Sequence, residues 1–170
     1  YPEHHILSRQ SGMHKSAYST SEEQYTWVID PLDGIDNFMA GMPVCAISIA
    51  LFYNRECVMG IIYEPITDHV YTAMQGQGAF FDGKILRSRP LHSDNPALIA
   101  ISGEIPYSEM AESLQEKLKQ PLSCNQIRNI GSLSLSLAYQ ASGAFDYFYG
   151  RDIHFCSAAA GILILNEAKA

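Results

Sequence analysis

Two carboxylates separated by two residues, with a glycine directly behind the second, are the most chemically loaded feature of this chain: Asp30-Pro31-Leu32-Asp33-Gly34. The run before them, Tyr25 to Ile29, is rich in β-branched and aromatic residues, so the pair is expected where a buried strand meets a turn at Asp30-Pro31. Both acidic side chains can then point into one space with the Leu32 carbonyl between them, and hard oxygen donors at that spacing suit Mg²⁺. Gly34 lets the chain enter a helix whose first N–H groups can cradle a phosphate. The competing structural reading is an Asx-turn followed by a helix N-cap, and the five residues alone do not separate the two.

Little else in the chain offers chemistry of its own. The six histidines are scattered, and no two have metal-ligand spacing. Cys45, Cys57, Cys124 and Cys156 form no CxxC pair and sit among apolar neighbours, which reads as buried, reduced thiols in a cytoplasmic protein. A net charge of −7 with 17% charged residues argues against nucleic acid binding by bulk electrostatics, because a phosphate backbone selects a basic footprint. A few local Lys or Arg side chains can still meet a small anion. No apolar run reaches the ~20 residues that span a bilayer, and no signal peptide is visible. At 170 residues and 47% hydrophobic, the chain can bury a real core as one domain over residues 1–170.

The elements that must position the acid pair follow from the apolar pattern. After Tyr25 to Ile29 come apolar runs at Val44 to Tyr53, Cys57 to Tyr63, His69 to Ala73 and Ala79 to Phe81. Asp82-Gly83 is a strong hairpin signal before Lys84 to Arg87. Residues 1–95 therefore read as an antiparallel meander. The pattern then changes. Ala97 to Ser102 reads as a short strand, and Tyr107 to Lys119 as an amphipathic helix with Met110, Leu114 and Leu118 on one face. Asn125 to Ile130 is a strand candidate, Ser132 to Ser142 a helix closed by Gly143, and Phe145 to Tyr149 a third strand. Tyr147, Phe148 and Tyr149 suit core and interface positions. Ala158 to Ala168 is a small-residue helix suited to close packing. A sheet half followed by a smaller alternating half over residues 96–170 predicts an α/β layered sandwich.

Taken with its surroundings, the acid motif resembles that of the inositol monophosphatase family, and more closely its bacterial SuhB-like branch. The resemblance runs through Tyr1-Pro2-Glu3-His4, Trp27 to Phe38, Gly41-Met42-Pro43 and Ser48-Ile49-Ala50-Leu51. It continues through Gly60 to Pro65, Gly76 to Ala79, Arg128 to Ser132, Ala159 to Ile164 and Glu167-Ala168. It implies the inositol monophosphatase-like fold and Mg²⁺-dependent hydrolysis of small phosphate monoesters by a homodimer. It also implies a possible protein partner, since SuhB-like relatives can act through partners in transcription. On that template Asp30, Leu32 and Asp33 are metal ligands, Gly34, Ile35 and Asp36 face the phosphate, and Gly131 and Ser132 border the substrate. It implies too that the chain is truncated at both ends relative to the family, with apolar surface left exposed.

The departures from that pattern bear on catalysis. Where the resemblance implies a Glu-Glu pair whose first member bridges metals, the chain has Arg9-Gln10. The catalytic Thr position is Ile35, and the late Trp-Asp pair is Cys156-Ser157. Gly150 stands where inositol-specific members carry an acidic residue, and Lys169-Ala170 replaces a double glycine. Glu23, in a displaced Glu-Glu pair, lies ~23 Å from Asp30 along an extended strand and would need a sharp reversal to serve the same metal. Asp36, at the helix start, is the nearer carboxylate. Arg9 has two readings: its guanidinium pairs with Asp30 and Asp33 in place of a metal ion, or it lies on a solvent-exposed loop. The sequence thus predicts an impaired Mg²⁺-dependent phosphomonoesterase, with an inactive, partner-binding pseudophosphatase as the alternative.

Overall fold

The computed structural model describes residues 1–19, 24–88, 97–103, 106, 108–109, 112 and 126–169. Eight strands form one sheet: β1 (His5–Ser8), β2 (Gly12–His14), β3 (Tyr25–Asp33), β4 (Ala46–Tyr53), β5 (Glu56–Glu64), β6 (His69–Met74), β7 (Gly78–Phe81) and β8 (Lys84–Leu86). Their order is β2-β1-β3-β4-β5-β6-β7-β8. From β3 to β8 every neighbour is antiparallel, as the apolar runs predict. Asp82 (φ 47°) and Gly83 (φ 75°) close the last hairpin in the left-handed geometry that matches strand twist.

Two features at the site end depart from the expected meander. The strand does not stop at Asp30-Pro31 but runs to Asp33, with Asp30 opposite Ser48 and Asp33 opposite Ala46. Three steps on β3 match two on β4, so one extra residue is accommodated in a bulge around Pro31, which has no N–H to give the ladder. The bulge matters because side chains three apart on a regular strand point to opposite faces. The extra residue brings both carboxylates to the same, buried face. The second departure is β1, which pairs parallel with β3, Ser8 opposite Ile29, and carries β2 outside it as a hairpin.

A second sheet has three parallel strands, β9 (Ile99–Ser102), β10 (Ile127–Arg128) and β11 (Tyr147–Gly150), with β9 in the centre. Tyr147 and Tyr149 pack on the buried Ile99. The helices are α1 (Ile35–Met39), α2 (Leu133–Ala141) and α3 (Phe155–Ala168). The helix expected over Tyr107 to Lys119 falls largely outside the described residues, as do Glu22, Glu23 and Cys124.

The core lies between the large sheet and α2 with α3, where Val28, Ala50, Ile62, Tyr71 and Ala73 meet Leu135, Ala160 and Ile164. The small residues of α3 have the use their composition suggests. A Cβ on Gly60 would lie 2.9 Å from the Ala160 carbonyl oxygen, so helix and sheet approach closer than any larger residue allows. The helix begins at Phe155, three residues earlier than its small-residue run, because His154 caps it by accepting from the Cys156 N–H at 3.3 Å. Alternation sends Ile47, Ile49, Leu51, Met59 and Ile61 to the opposite face of the sheet, which neither α2 nor α3 covers.

Candidate functional site

The parallel pairing of β1 with β3 decides the chemistry of the acid pair. The Arg9 N–H donates to the Ile29 carbonyl at 2.9 Å, extending the ladder one residue beyond β1. This sets Arg9 beside Asp30. Its Nη1 donates to Asp30 Oδ2 at 2.8 Å and to Ser157 Oγ at 2.9 Å, and lies 3.5 Å from Asp33 Oδ1. Ser157 in turn donates to Asp30 Oδ2 at 2.5 Å. Asp30 is fully buried, and its other oxygen accepts from the Leu32 N–H at 3.3 Å. The hydrogen bond to Asp30 pushes the Arg9 guanidinium still further up, so the cation is permanent.

Asp33 is held from the other side. Its Oδ2 accepts from Ser132 Oγ and from the Ser134 N–H, both at 2.7 Å. Burial raises its pKa above the usual carboxylate range, against the lowering effect of those two hydrogen bonds. Ser132 also caps α2, accepting from the Leu135 N–H at 3.3 Å. With 2% of its surface exposed, it serves the acid pair and the helix start.

A cleft of about 300 Å³ opens beside this cluster. Arg9, Asp33, Gly34, Ile35, Asp36, Gly131 and Ser157 line it. Ser102, Asn129 and Arg151 close it from the carboxyl ends of the three parallel strands, where α/β folds place their ligands. Gly34 has φ 87°, and a Cβ there would lie 2.7 Å from the Val44 carbonyl oxygen. Asn37 ties the two glycine turns together, its Nδ2 donating to the Val44 and Ile130 carbonyls at 2.8 Å each. Ile35 is 43% exposed and offers the cleft no hydroxyl. Asp36 is exposed and takes no part in the Asp30–Asp33 cluster.

As arranged, these donors do not fit a divalent ion. Mg²⁺ takes about six oxygens in near-octahedral order, whereas Asp30 Oδ2 already accepts from a guanidinium and a hydroxyl. Among the described residues no group of three or more His, Cys, Asp or Glu side chains can hold a metal. The expected ligands Asp30 and Asp33 are brought together, but around a cation of the chain's own, and Leu32 meets them through its N–H, which donates to Asp30. The cleft offers no hydroxyl from residue 35 to position a water.

Asn37, Ser134 and Arg151 were not singled out by spacing or residue type. A polar residue in the first turn after Gly34 was the one available signal for Asn37; nothing local marks the other two. His154 fixes the entry to α3 as its N-cap.

Fold and cleft together define a layered α/β protein with an open cleft where its two sheets meet. A sequence model of the inositol monophosphatase family matches residues 1–169, and the chain belongs to that family, on its SuhB-like branch. It is 37% identical over 148 residues to an inositol-1-monophosphatase of Rhizobium meliloti, covering 85% of this chain and 54% of that protein. Nus factor SuhB of Vibrio cholerae is 31% identical over 171 residues, covering 100% and 62%. The crystal structure of extragenic suppressor protein suhB from Bartonella henselae superposes with a TM-score of 0.83 at 33% identity, covering 98% of this chain and 63% of that one. The chain thus spans little more than half to two thirds of the length of these relatives.

Proposed function

We propose that this chain is a phosphate-monoester-binding member of the family in which Mg²⁺-dependent hydrolysis of inositol or sugar phosphates is impaired. The observation that carries this reading is one cleft onto which Gly34, Ile35, Gly131 and two arginines converge, with no divalent-ion donor set beside it among the described residues. The starts of α2 and α3 lie at the same cleft and add their positive dipole ends to Arg9 and Arg151. The free thiols Cys45, Cys57 and Cys156 accord with a reducing, cytoplasmic setting. Among the described residues no helix is long and apolar enough to cross a membrane.

A second reading is a pseudophosphatase that binds a protein partner or a second copy of itself. It is supported by the exposed apolar side chains of Phe38, Met39 and Met42 on and just beyond α1, at 53%, 79% and 50% exposure. The two readings separate in one assay set. Phosphate release from inositol 1-phosphate and a sugar-phosphate panel is measured with and without Mg²⁺, beside equilibrium binding of the same esters. The proposal expects binding with turnover far below the ordinary enzyme median of about 10 s⁻¹. Turnover near that rate overturns the impairment, and absence of binding to every ester favours the partner-binding scaffold.

A further inference from the structure

We infer that Arg9 is a built-in cation that stands permanently where a divalent ion would otherwise compensate Asp30 and Asp33, and that it presents its unused N–H groups to an oxyanion, so that anion binding here needs no metal. The first half stands on geometry alone; the second rests on the phosphate-site reading above.

Placement comes first. Arg9 is not a free surface side chain, because its backbone belongs to the β1–β3 ladder and its side chain is only 35% exposed. Its Nη1 meets three acceptors, Asp30 Oδ2, Ser157 Oγ and Asp33 Oδ1. The serine is as important as the arginine. A carboxylate at position 157 would add a third negative group and favour a metal, whereas the hydroxyl accepts from Arg9 and donates to Asp30, closing a triangle with no surplus charge.

Occupancy of the lone pairs comes second. Asp30 has both oxygens engaged, one by the Leu32 N–H and one by Arg9 and Ser157. Asp33 Oδ2 carries Ser132 and Ser134, and Asp33 Oδ1 faces Arg9. An entering dication would have to displace the guanidinium and strip Ser157 before it gained Asp30 Oδ2 as a ligand, while the displaced cation stayed tethered nearby.

The third observation is what Arg9 leaves unused. All its side-chain hydrogen bonds leave from Nη1, and Nε and Nη2 have no acceptor among the described residues. Arg9 lines the cleft. A guanidinium held at one nitrogen keeps a planar edge of donors that matches two oxygens of a phosphoryl group. The fixed Nη1 contacts restrict the rotamers of this side chain, so little further ordering is needed when an anion docks.

The test uses the full chain, Mn²⁺ as a spectroscopically visible stand-in for Mg²⁺, and inorganic phosphate as the anion. Electron paramagnetic resonance should show no specific Mn²⁺ binding to the native protein up to millimolar metal. The paired substitution Arg9→Glu with Ser157→Asp should create such a site. Phosphate titrated calorimetrically in EDTA should bind the native protein with the affinity seen in millimolar Mg²⁺. Arg9→Lys, which keeps the charge but not the fork, should bind phosphate roughly tenfold more weakly. Submillimolar Mn²⁺ binding to the native protein overturns the built-in cation. Phosphate binding that requires Mg²⁺, or that is unchanged in Arg9→Lys, overturns the oxyanion role. If phosphate binds under neither condition while Mn²⁺ is still excluded, the phosphate-site reading fails and the built-in cation stands. Thermal melts accompany each variant. Should the paired variant not fold, Ser157→Asp alone decides: Mn²⁺ affinity must remain below that of an ordinary carboxylate cage while Arg9 is present, and tight binding overturns the inference.

Discussion

The two walls of the cleft are built on different physical principles. One, formed by Gly34, Asn37 and Gly131, is a backbone construction: two turns at positive φ, clamped by one asparagine amide that reaches the Val44 and Ile130 carbonyls. The other, formed by Arg9, Asp30 and Ser157, is an electrostatic construction whose parts come from three distant segments. The first wall has almost no latitude, because its contacts are steric and short. The second tolerates replacement of whole charged groups as long as the net charge around the buried Asp30 is balanced. This explains how a chain can keep the outline of a phosphate-handling fold while its metal-side residues are Arg9, Ile35 and Ser157.

The sharpest way to break this contrast is Gly34→Ala. Its Cβ would meet the Val44 carbonyl oxygen at 2.7 Å in a left-handed backbone. Strain and overpacking together should cost about 3 kcal/mol, or roughly 8 °C in melting temperature for a chain of this size. Calorimetry that finds no loss would show the backbone wall to be as forgiving as the charged one.

Arg9→Ala should cost less, about 2 kcal/mol, because it strands a buried carboxylate but the guanidinium itself is partly solvated. The charge argument makes a further demand. Adding Asp30→Asn to Arg9→Ala should return more than half of the loss in urea titrations. A strictly additive pair would mean that the wall is held by packing and not by charge.

Ser132 sits where the walls meet, as helix cap and as donor to Asp33. Ser132→Ala should cost about 1.5 kcal/mol, of which the cap accounts for roughly two thirds. Ser132→Thr, which keeps the hydroxyl, should recover most of it in the same denaturation assay.

The smallest effect lies away from both walls. Lys169 ends α3 in the left-handed conformation, φ 59°, at a position where a glycine carries no Cβ penalty. Lys169→Gly should stabilise the chain by about 0.7 kcal/mol and leave phosphate affinity unchanged. A change in affinity would tie the far end of α3 to the cleft.

Much of the large sheet was legible because alternation and the Asp82-Gly83 turn are local signals. The strand through Pro31 was not, since proline and the following glycine read as a stop, while the bulge that accommodates them depends on pairing with β4. β1 was missed for the same reason. Four residues, His-Ile-Leu-Ser, are too few to carry a periodic signal, and only the parallel contact with β3 makes them a strand. In the site, the acid pair and the glycines announced themselves by type and spacing. Ser134 acts on Asp33 through its backbone N–H, and the Asn37 amide has its targets, the Val44 and Ile130 carbonyls, fixed by tertiary contact, so no local pattern marks either role.

The sequence by itself determined that two carboxylates and a glycine stand at the end of a strand, and that the chain is related to the inositol monophosphatases. It left open whether Arg9 met the carboxylates or the solvent. Only the tertiary structure decided that, because Arg9, Asp30 and Ser157 are joined by no local rule. A parallel strand pair fixes the first two, a helix start supplies the third, and the cost of burying Asp30 without a cation draws the guanidinium between them.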